Sequence, residues 1–479
     1  MLKRNIKYIL LFLFLMDTTY SFFQHLSMPL DGDMPAGILQ TNEVKKILSN
    51  PFGIDVITRH EIRPNPNRFF AHLAFSEYFR SIPFVLQRFF SPINSIYISC
   101  AIFKTILQIL LIYLLACYIS GTRAILTTQF LIPVILITPL FQANGYQGSM
   151  GIINSATTYS FFYALPIAFL LLLFLPFFNT YFHGQKKRFN MLNLALTFFV
   201  AIIVSFSGPL IPPTVCIVSV LILSSKWLNN FKTLNISSFI LKCWYAVKQI
   251  PKLYFMFLLP VAILSMYSFY IGTFNSINYE NNITLLQRYA KLPMGIFETF
   301  TNKIGFPLLI LMLIVNAYLI RKYYNSIEGQ KILTILKWII VFVLIYILLL
   351  PLGGYRSYRP NTIRCDTIIP VTLSLFFIYG ISTYYIIRNQ RTDKKWYVAS
   401  VIVCILIFTL ADGPGFDKNA CEKDALRTIA ASPEKIVFLQ NDCTVIDWQK
   451  ITDPINSKQK CELLKYWGVI NEDKLYYQK

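Results

Sequence analysis

The sequence contains none of the short motifs that mark nucleotide-dependent enzymes or common hydrolases. It has no Walker loop, no Gly-x-Gly-x-x-Gly before a helix, no Gly-x-Ser-x-Gly and no His-Glu-x-x-His. Those motifs provide a phosphate cradle, an activated serine or a metal-bound water. The chain therefore has no visible means of using ATP or a nicotinamide cofactor, so the energy for its work would come from its substrate or from a gradient.

Cysteine pairs at metal-binding spacing are also missing. The nine cysteines are scattered along the chain, without a Cys-x-x-Cys or any other zinc signature. Cys100, Cys117, Cys216 and Cys404 fall inside apolar runs, where we expect them to be small core residues. Cysteine thus gives no indication of a structural metal.

Apolar residues, in contrast, are abundant. Hydrophobic residues make up 55% of the chain, aromatic residues 16%, and the mean hydropathy is +0.52. We predict an all-α polytopic membrane protein with about eleven transmembrane helices, since a span needs roughly twenty apolar residues. No small-residue cleavage site follows the first apolar run, which favours an uncleaved helix over a signal peptide. The predicted spans lie near residues 7–25, 95–119, 124–141, 158–182, 190–207, 209–225, 253–274, 304–320, 333–351, 367–387 and 396–412.

The distribution of positive charge predicts the orientation of these spans. The net charge of +21 would suggest nucleic acid for a soluble chain, but here Lys and Arg concentrate in alternate loops. By the positive-inside rule, the amino terminus is cytoplasmic and the carboxy terminus extracytoplasmic, in a cytoplasmic (inner) membrane. We expect membrane lipids as partners and no nucleic acid. The basic loops are those at Arg123 and around residues 186–188, 226–252, 321–331 and 388–395.

Two regions are too polar to lie within the bilayer. The first is an outer loop at residues 24–94, inside a membrane domain of residues 1–411. The second is a small extracytoplasmic α+β domain of residues 412–479, where an oxidising compartment would allow one disulfide. Its predicted elements are helices at 421–432 and 457–467 and strands at 435–439 and 444–448. Its cysteines are Cys421, Cys443 and Cys461, and the sequence does not choose the pair.

The outer loop contains two helical signals. Thr41 can cap a short amphipathic helix that ends before Pro51. The stretch 67–90 interleaves phenylalanines with arginines, which suits a helix that lies in the membrane interface. The alternative for this stretch is a helix packed on the protein's own outer surface.

Asp17 and Lys104 are unusual charges inside predicted spans. A lone charge at such a depth costs roughly 2.5–3.5 kcal/mol on insertion scales, so each needs a partner or water. We expect Asp17 and Lys104 to face each other across the first two helices. The alternative is that Lys104 reaches outward and Asp17 lies in a wet cavity.

The first candidate site is Pro29–Asp33, which reads Pro-Leu-Asp-Gly-Asp and opens the outer loop. It fixes Asp31 and Asp33 on a glycine-containing turn at a membrane surface. Such a pair can serve catalysis or bind a cation. Asp is also favoured in ordinary glycine turns, where it forms local backbone hydrogen bonds. All three roles stay open.

The second candidate site is the late outer loop at residues 353–366. It contains Arg356, Arg359 and Arg364, which break the positive-inside trend. Guanidinium groups match phosphate oxygens in a bidentate manner, so we predict that they bind a phosphate or pyrophosphate. Ordinary anionic lipid is the alternative ligand. Further candidates for phosphate contacts lie in the first outer loop, at His60, Arg63 and Arg68.

This layout resembles the polytopic GT-C glycosyltransferases, which use polyprenyl-phosphate-linked sugars. The resemblance rests on the inside amino terminus, the large first outer loop, the early acidic motif and the outer carboxy-terminal domain. It implies transfer of a sugar from a lipid-phosphate donor to an acceptor at the outer face. It also implies that Asp31 or Asp33 is the general base and that late-loop arginines stabilise the departing phosphate. Some members hold a divalent ion with such carboxylates, so Asp31 and Asp33 would be the ligands of any Mg²⁺ or Mn²⁺.

Other functions fit parts of the same sequence. A transporter or flippase of lipid-linked saccharides would need charges at several mid-membrane positions, and few occur. A surface polysaccharide polymerase or ligase would also use outer-loop arginines, but its late loops would normally exceed the first in size. A non-catalytic scaffold is a further alternative.

Overall fold

The computed structural model describes residues 2–185, 191–278, 283–324, 326–354, 359, 361–389 and 395–479. Within these ranges, eight helices are long and apolar enough to cross a membrane, and they make the chain a multi-pass membrane protein. Three further predicted spans overlap shorter apolar helices, namely Thr128–Leu140, Ala195–Ser205 and Lys395–Ala411. The predicted helical membrane fold is confirmed at eight long helices, and the total of about eleven spans stays a prediction.

The helices of the membrane part follow one another with short connections. The amino-terminal half contains α1 (Leu2–Leu26), α2 (Met34–Ile38), α3 (Asn42–Ser49), α4 (Ile54–Arg59), α5 (Phe69–Leu86), α6 (Pro92–Ser120), α7 (Thr128–Ile137), α8 (Gln147–Met150), α9 (Thr157–Tyr159) and α10 (Leu165–Phe182). The second half contains α11 (Met191–Ser205), α12 (Ile211–Thr233), α13 (Phe239–Lys248), α14 (Lys252–Thr273), α15 (Leu285–Ala290), α16 (Leu292–Thr301), α17 (Gly305–Tyr323), α18 (Ile327–Leu349), α19 (Ile369–Arg388) and α20 (Lys395–Ala411). A π-helical turn, Ser160–Ala164, joins α9 to α10 in one apolar segment.

The central helices of the bundle are α6 and α19. Each buries most of its length, and the two pack against each other and against α7. Their residues are apolar on nearly all sides, as expected for helices surrounded by protein rather than by lipid or water. By contrast, α18 leaves most of its apolar surface uncovered, which is the state of a helix at the lipid boundary.

The ends of the helices define two faces of the bundle. At one face, the His183 Nε2 atom after α10 lies 2.9 Å from the Tyr118 carbonyl near the end of α6. Arg388, at the end of α19, forms an ion pair with Glu328 at the start of α18 on the same face. At the other face, the first outer loop packs where α6 and α9 begin. The acidic motif therefore lies at the end of the bundle opposite to His183 and Arg388.

The outer-loop helices pack on the protein itself. Helix α3 follows Thr41 and ends before Pro51, as predicted, with Val44 and Ile47 buried. Helix α5 packs against α6 and α2, and its Phe75 is fully buried. The alternative of packing on the protein's own surface therefore describes α5, although its far end exposes aromatic rings.

The polar tail folds onto this outer loop. It contains α21 (Ala420–Ala431), β1 (Ile436–Leu439), α22 (Lys458–Tyr466) and β2 (Leu475–Gln478), and the two strands pair in parallel. The Trp467 Nε1 atom donates a hydrogen bond of 3.2 Å to the Phe79 carbonyl in α5. The disulfide joins Cys421 to Cys443, while Cys461 is free and buried.

The predicted strand at 444–448 is wrong. Val445 and Ile446 are both fully buried, so this stretch lacks the alternation of a strand with one covered face. The partner of β1 is instead β2, near the carboxy-terminal end of the sequence. The predicted helices at 421–432 and 457–467 correspond to α21 and, after one 3-10 turn, to α22.

Candidate functional site

Asp31 is buried and fully engaged. Its Oδ1 atom accepts a hydrogen bond of 2.6 Å from the Thr158 hydroxyl, and its Oδ2 atom accepts one of 3.1 Å from the Thr158 backbone N–H. Burial raises the pKa of the Asp31 carboxyl, and the hydrogen bonds from Thr158 oppose that rise. Asp31 therefore ties the Pro29–Asp33 turn to the start of the α9–α10 segment.

Asp33 is the exposed carboxylate of the motif. Its Oδ1 atom accepts a hydrogen bond of 3.3 Å from the Trp448 Nε1 atom in the polar tail. Gly32 lies directly beneath this tryptophan, because a Cβ atom at residue 32 would lie only 2.8 Å from Trp448 Cδ1 and 3.0 Å from Trp448 N. Glycine is required here for the close approach of the tail. The first loop and the tail thus meet at Asp33.

Tyr159 connects Asp33 to the late arginines. Its ring lies 5.6 Å from the Trp448 ring, centroid to centroid, and 5.9 Å from the Arg364 guanidinium carbon. The charges of Asp33, Arg359 and Arg364 all act on the Tyr159 hydroxyl. An acidic residue from the early loop and two arginines from the late loop therefore converge on one side chain.

Arg68 extends this cluster by one helical turn. Its guanidinium carbon lies 6.0 Å from the ring of Tyr163, whose own ring is 5.7 Å from that of Tyr159. Arg364 is held in place by Asp366, which accepts from its Nε atom at 2.9 Å and also from its Nη2 atom. Such a bidentate pair fixes the plane of the guanidinium group. We call the group of Asp33, Tyr159, Tyr163, Arg68, Arg359, Arg364, Asp366 and Trp448 the outer cluster.

Two of the predicted phosphate ligands lie elsewhere. Arg63 is buried, forms an ion pair with Asp55 and makes a backbone bridge to Asn275. His60 stacks against Phe274, with ring centroids 6.3 Å apart. Both residues therefore brace the outer loop against the end of α14, apart from the outer cluster. Arg356 lies outside the described residues.

Lys104 and Asp17 have different neighbours from those predicted. The Lys104 ammonium is fully buried, donates to the Ser155 carbonyl and lies 3.5 Å from the Met28 sulfur. The nearby carboxylate is Asp31, which Lys104 influences electrostatically. Asp17 instead shares its surroundings with Asp412. The positive charge of the buried Lys104 therefore lies close enough to the acidic motif to interact with Asp31.

Glu422 connects the polar tail to the first outer loop and to α6 through hydrogen bonds. Its carboxylate accepts hydrogen bonds from Leu30 N at 2.9 Å, from the Tyr97 hydroxyl at 2.7 Å and from Ile446 N at 2.9 Å. These donors belong to the first loop, to α6 and to the segment just before Trp448. Burial raises the pKa of Glu422 to about 7, against the opposing effect of these hydrogen bonds.

An apolar cavity of about 340 Å³ lies within the bundle, and its lining includes Pro370 at the start of α19. Its lining runs along α12 from Thr214 to Lys226, so that it extends roughly 18 Å at 1.5 Å per residue. One helical turn beyond the lining residue Phe342, the Tyr346 hydroxyl donates to the Thr367 carbonyl at 2.9 Å. The Thr367 hydroxyl in turn accepts from Arg364 N at 2.9 Å. These hydrogen bonds connect a residue close to the cavity with the arginine loop.

The carboxylates of the motif offer few ligands to a metal. In the part of the chain that the structure describes, no group of three or more His, Cys, Asp or Glu side chains is placed to hold an ion. Both Asp31 oxygens already accept hydrogen bonds from Thr158, and Asp33 Oδ1 accepts one from Trp448. Any Mg²⁺ or Mn²⁺ would therefore need most of its ligands from substrate and water.

No protein-family model matches this chain, no curated protein matches it, and no solved structure matches it. The class of the protein accordingly rests on its own helices, which define a multi-pass membrane protein. The resemblance to GT-C glycosyltransferases remains an expectation.

The sequence did not identify five residues of this region, namely Tyr159, Tyr163, Asp366, Glu422 and Trp448. All of these except Asp366 are far in sequence from the predicted site residues. Asp366 was within reach, since it follows Arg364 by two residues in the loop that the arginines identified. Trp448 carried a weaker signal, as a large aromatic residue within a polar tail.

Proposed function

We propose that the protein is a membrane glycosyltransferase that moves a sugar from a lipid-phosphate donor to an acceptor at the outer face of the cytoplasmic membrane. The observation that carries this proposal is geometric: the Arg364 guanidinium lies 5.9 Å from the Tyr159 ring, and Asp33 and Tyr159 both contact Trp448. A base and cationic phosphate ligands at one site are what transfer from a phosphate leaving group requires.

In this proposal Asp33 is the general base. It is exposed beside Tyr159, whereas both Asp31 oxygens are engaged by Thr158. Asp33 would take the proton from the acceptor hydroxyl as that oxygen attacks the anomeric carbon. The bond from this carbon to the phosphate oxygen then breaks, and the phosphate leaves with its negative charge.

Arg364, Arg359 and Arg68 would receive that phosphate. Arg364 is pre-oriented by Asp366, so its guanidinium group is fixed before the substrate arrives. The apolar cavity would accept the lipid tail of the donor, since it lies beside the arginine loop and is lined mainly by aliphatic and aromatic side chains. Both parts of an amphipathic donor would then have matching surroundings.

The distribution of charge in the loops supports an outer-face reaction. His183 and the Arg388–Glu328 pair lie at the face opposite the outer cluster, and by the positive-inside rule we infer that their face is cytoplasmic. Under this assignment the disulfide of the tail lies in an oxidising compartment, where disulfides persist.

The test is a transfer assay with purified protein in lipid nanodiscs and polyprenyl-phosphate-linked sugars as donors. We expect Asp33→Asn to reduce turnover by about 10²-fold or more, because general base catalysis contributes at least that factor. Arg364→Gln is expected to lower turnover with little change in binding of the free acceptor. Equal turnover in the wild type and Asp33→Asn would remove the assignment of Asp33 as the base.

Matched controls come from the exposed ion pair of Asp424 and Arg427 in the tail. Asp424→Asn and Arg427→Gln make the same chemical changes away from the outer cluster. Both variants should retain the turnover of the wild type. Loss of turnover in the controls would indicate a general effect of charge on the tail.

Transport of lipid-linked saccharides is a second candidate, and one observation favours it. The cavity reaches Lys226, whose ammonium lies 4.9 Å from the Tyr181 ring centre at the cationic face. A flippase would move a fluorescent lipid-linked saccharide across a liposome bilayer without releasing its sugar. Protection of the label from an external quencher would distinguish this activity from transfer.

A further inference from the structure

Trp448 is a large exposed aromatic residue that the fold holds in a fixed position. About half of its surface, 51%, is exposed, although Val445 and Ile446 just before it are fully buried. Ile446 has a φ of 49°, which a β-branched residue rarely adopts. Its N–H is bonded to Glu422, so the strained backbone is held by a buried carboxylate. Such strain persists where the surrounding structure requires a particular conformation.

Contacts on three sides orient the tryptophan. Gly32 lies against its backbone and ring, Asp33 accepts from its Nε1 atom, and Tyr159 lies beside its ring with an interplanar angle of 33°. The two aromatic rings and the carboxylate therefore form a small open platform at the outer cluster. Little conformational freedom remains to be lost when a ligand binds.

We propose that Trp448, Tyr159 and Asp33 bind a pyranose ring of a saccharide substrate. A pyranose has an apolar face of C–H groups, which packs on a flat aromatic ring, and an edge of hydroxyl groups, which donate to a carboxylate. The platform offers both surfaces at once. This inference rests on the proposed function and assigns the sugar-binding part of that site.

The chemistry of the platform distinguishes it from an aromatic anchor at the membrane interface. Interfacial tryptophans direct their N–H groups to lipid head groups or water. Trp448 instead donates to Asp33, in a tail that is fastened to the first loop by Glu422. Its exposed ring accordingly lies beside the groups proposed to react.

The test measures binding of maltotriose and of chitotriose to the full-length protein in nanodiscs, by saturation-transfer NMR. Wild-type protein should bind at least one of the two trisaccharides. Trp448→Ala should weaken this binding about tenfold or more, a factor that corresponds to about 1.4 kcal/mol. Trp448→Phe should retain part of the affinity, because it keeps an aromatic face. Thermal unfolding of each variant shows whether the tail remains folded.

The control is Trp244→Ala, which removes another exposed tryptophan, 57% exposed, from α13. It should bind the trisaccharides as the wild type does. Failure of both trisaccharides to bind the wild type, or equal binding by Trp448→Ala, would overturn the proposal. An interfacial anchor would give the second result.

The outcomes also separate this proposal from the proposed function. Trisaccharide binding requires no donor, so binding that depends on Trp448 without any transfer would leave the sugar site standing and overturn the transferase. Transfer by Trp448→Ala with an unchanged KM for the acceptor and the donor would overturn the sugar site and leave the transferase standing.

Discussion

Asp31 and Thr158 are joined by two hydrogen bonds, one to each carboxylate oxygen of Asp31. The residues are 127 positions apart, and their contact connects the first outer loop to the α9–α10 segment. Asp33 follows Asp31 by two residues and Tyr159 directly follows Thr158, so this contact also brings Asp33 and Tyr159 together beside Trp448. The buried carboxylate therefore positions the exposed one.

The first prediction concerns this pair. Asp31→Asn replaces one acceptor oxygen by an amide that cannot accept the bond from Thr158, so a buried donor loses its partner. We expect the free energy of unfolding to fall by about 1–3 kcal/mol. Unfolding in mixed detergent, followed by circular dichroism, measures this. Asp33→Asn, at the exposed position, should leave stability nearly unchanged, and equal destabilisation by both variants would contradict this role of Asp31.

The second prediction concerns pH. Burial raises the pKa of Glu422 from its usual value of 4.5 to about 7. The folded state therefore binds this proton more tightly than the unfolded state, so the contribution of Glu422 to stability is complete below pH 4.5 and is lost as the pH rises through about 7. At about 1.4 kcal/mol per pKa unit, the effect reaches about 3 kcal/mol.

The variant that checks it is Glu422→Gln. Its amide stays neutral, so the free energy of unfolding should lose this component of its pH dependence between pH 4.5 and 7. Parallel pH profiles of the wild type and Glu422→Gln would show that another group is responsible.

The third prediction concerns Gly32. An alanine Cβ would lie 3.0 Å from the backbone nitrogen of Trp448, so rotation of the indole alone cannot relieve the contact. We expect Gly32→Ala to displace the Trp448 segment, shift the tryptophan fluorescence and reduce transfer. Gly148→Ala is the matched control, since nothing lies within 4 Å of its added Cβ atom. Unchanged fluorescence and transfer in Gly32→Ala would contradict the close packing.

The fourth prediction concerns the disulfide between Cys421 and Cys443, which are 22 residues apart in the sequence. In the Cys421→Ser/Cys443→Ser variant the free energy of unfolding should fall by about 2–4 kcal/mol. The variant lacks the crosslink, which in the wild type restricts the conformations of the unfolded tail. Differential scanning calorimetry with and without reductant measures the change. In the double variant, reductant should have no further effect. Cys461→Ser provides a single-cysteine comparison in which sensitivity to reductant should remain.

The sequence was sufficient to predict the helical membrane fold, because long apolar runs determine spans by local composition alone. The helix after Thr41 and the helices of the tail were also predictable from local sequence, although the Thr41 side chain makes no hydrogen bond that caps α3. The partner of β1 could not be predicted in this way, because strand pairing depends on residues that are distant along the chain. The stretch 444–448 is closer to β1 in sequence than β2 is, and it was therefore wrongly predicted as the second strand.

The candidate site could be predicted only in part. Asp33, Arg359 and Arg364 were identifiable because acids and guanidinium groups are conspicuous beside apolar spans, and Arg68 followed from its cationic type. His60 and Arg63 have the same chemistry but pack against the end of α14, which no local pattern reveals. The expected partnership of Asp17 and Lys104 failed for a similar reason, since a carbonyl group served the buried ammonium.

The contact between Trp448 and Asp33 also has a consequence for biosynthesis. Trp448 and Asp33 are separated by 415 positions, so the motif emerges from the ribosome long before the residue that covers it. Until the tail has been synthesised and has folded onto the first loop, the nascent protein has a carboxylate without its neighbouring indole. The outer cluster therefore forms only late in synthesis, and a prematurely terminated chain lacks the indole beside Asp33.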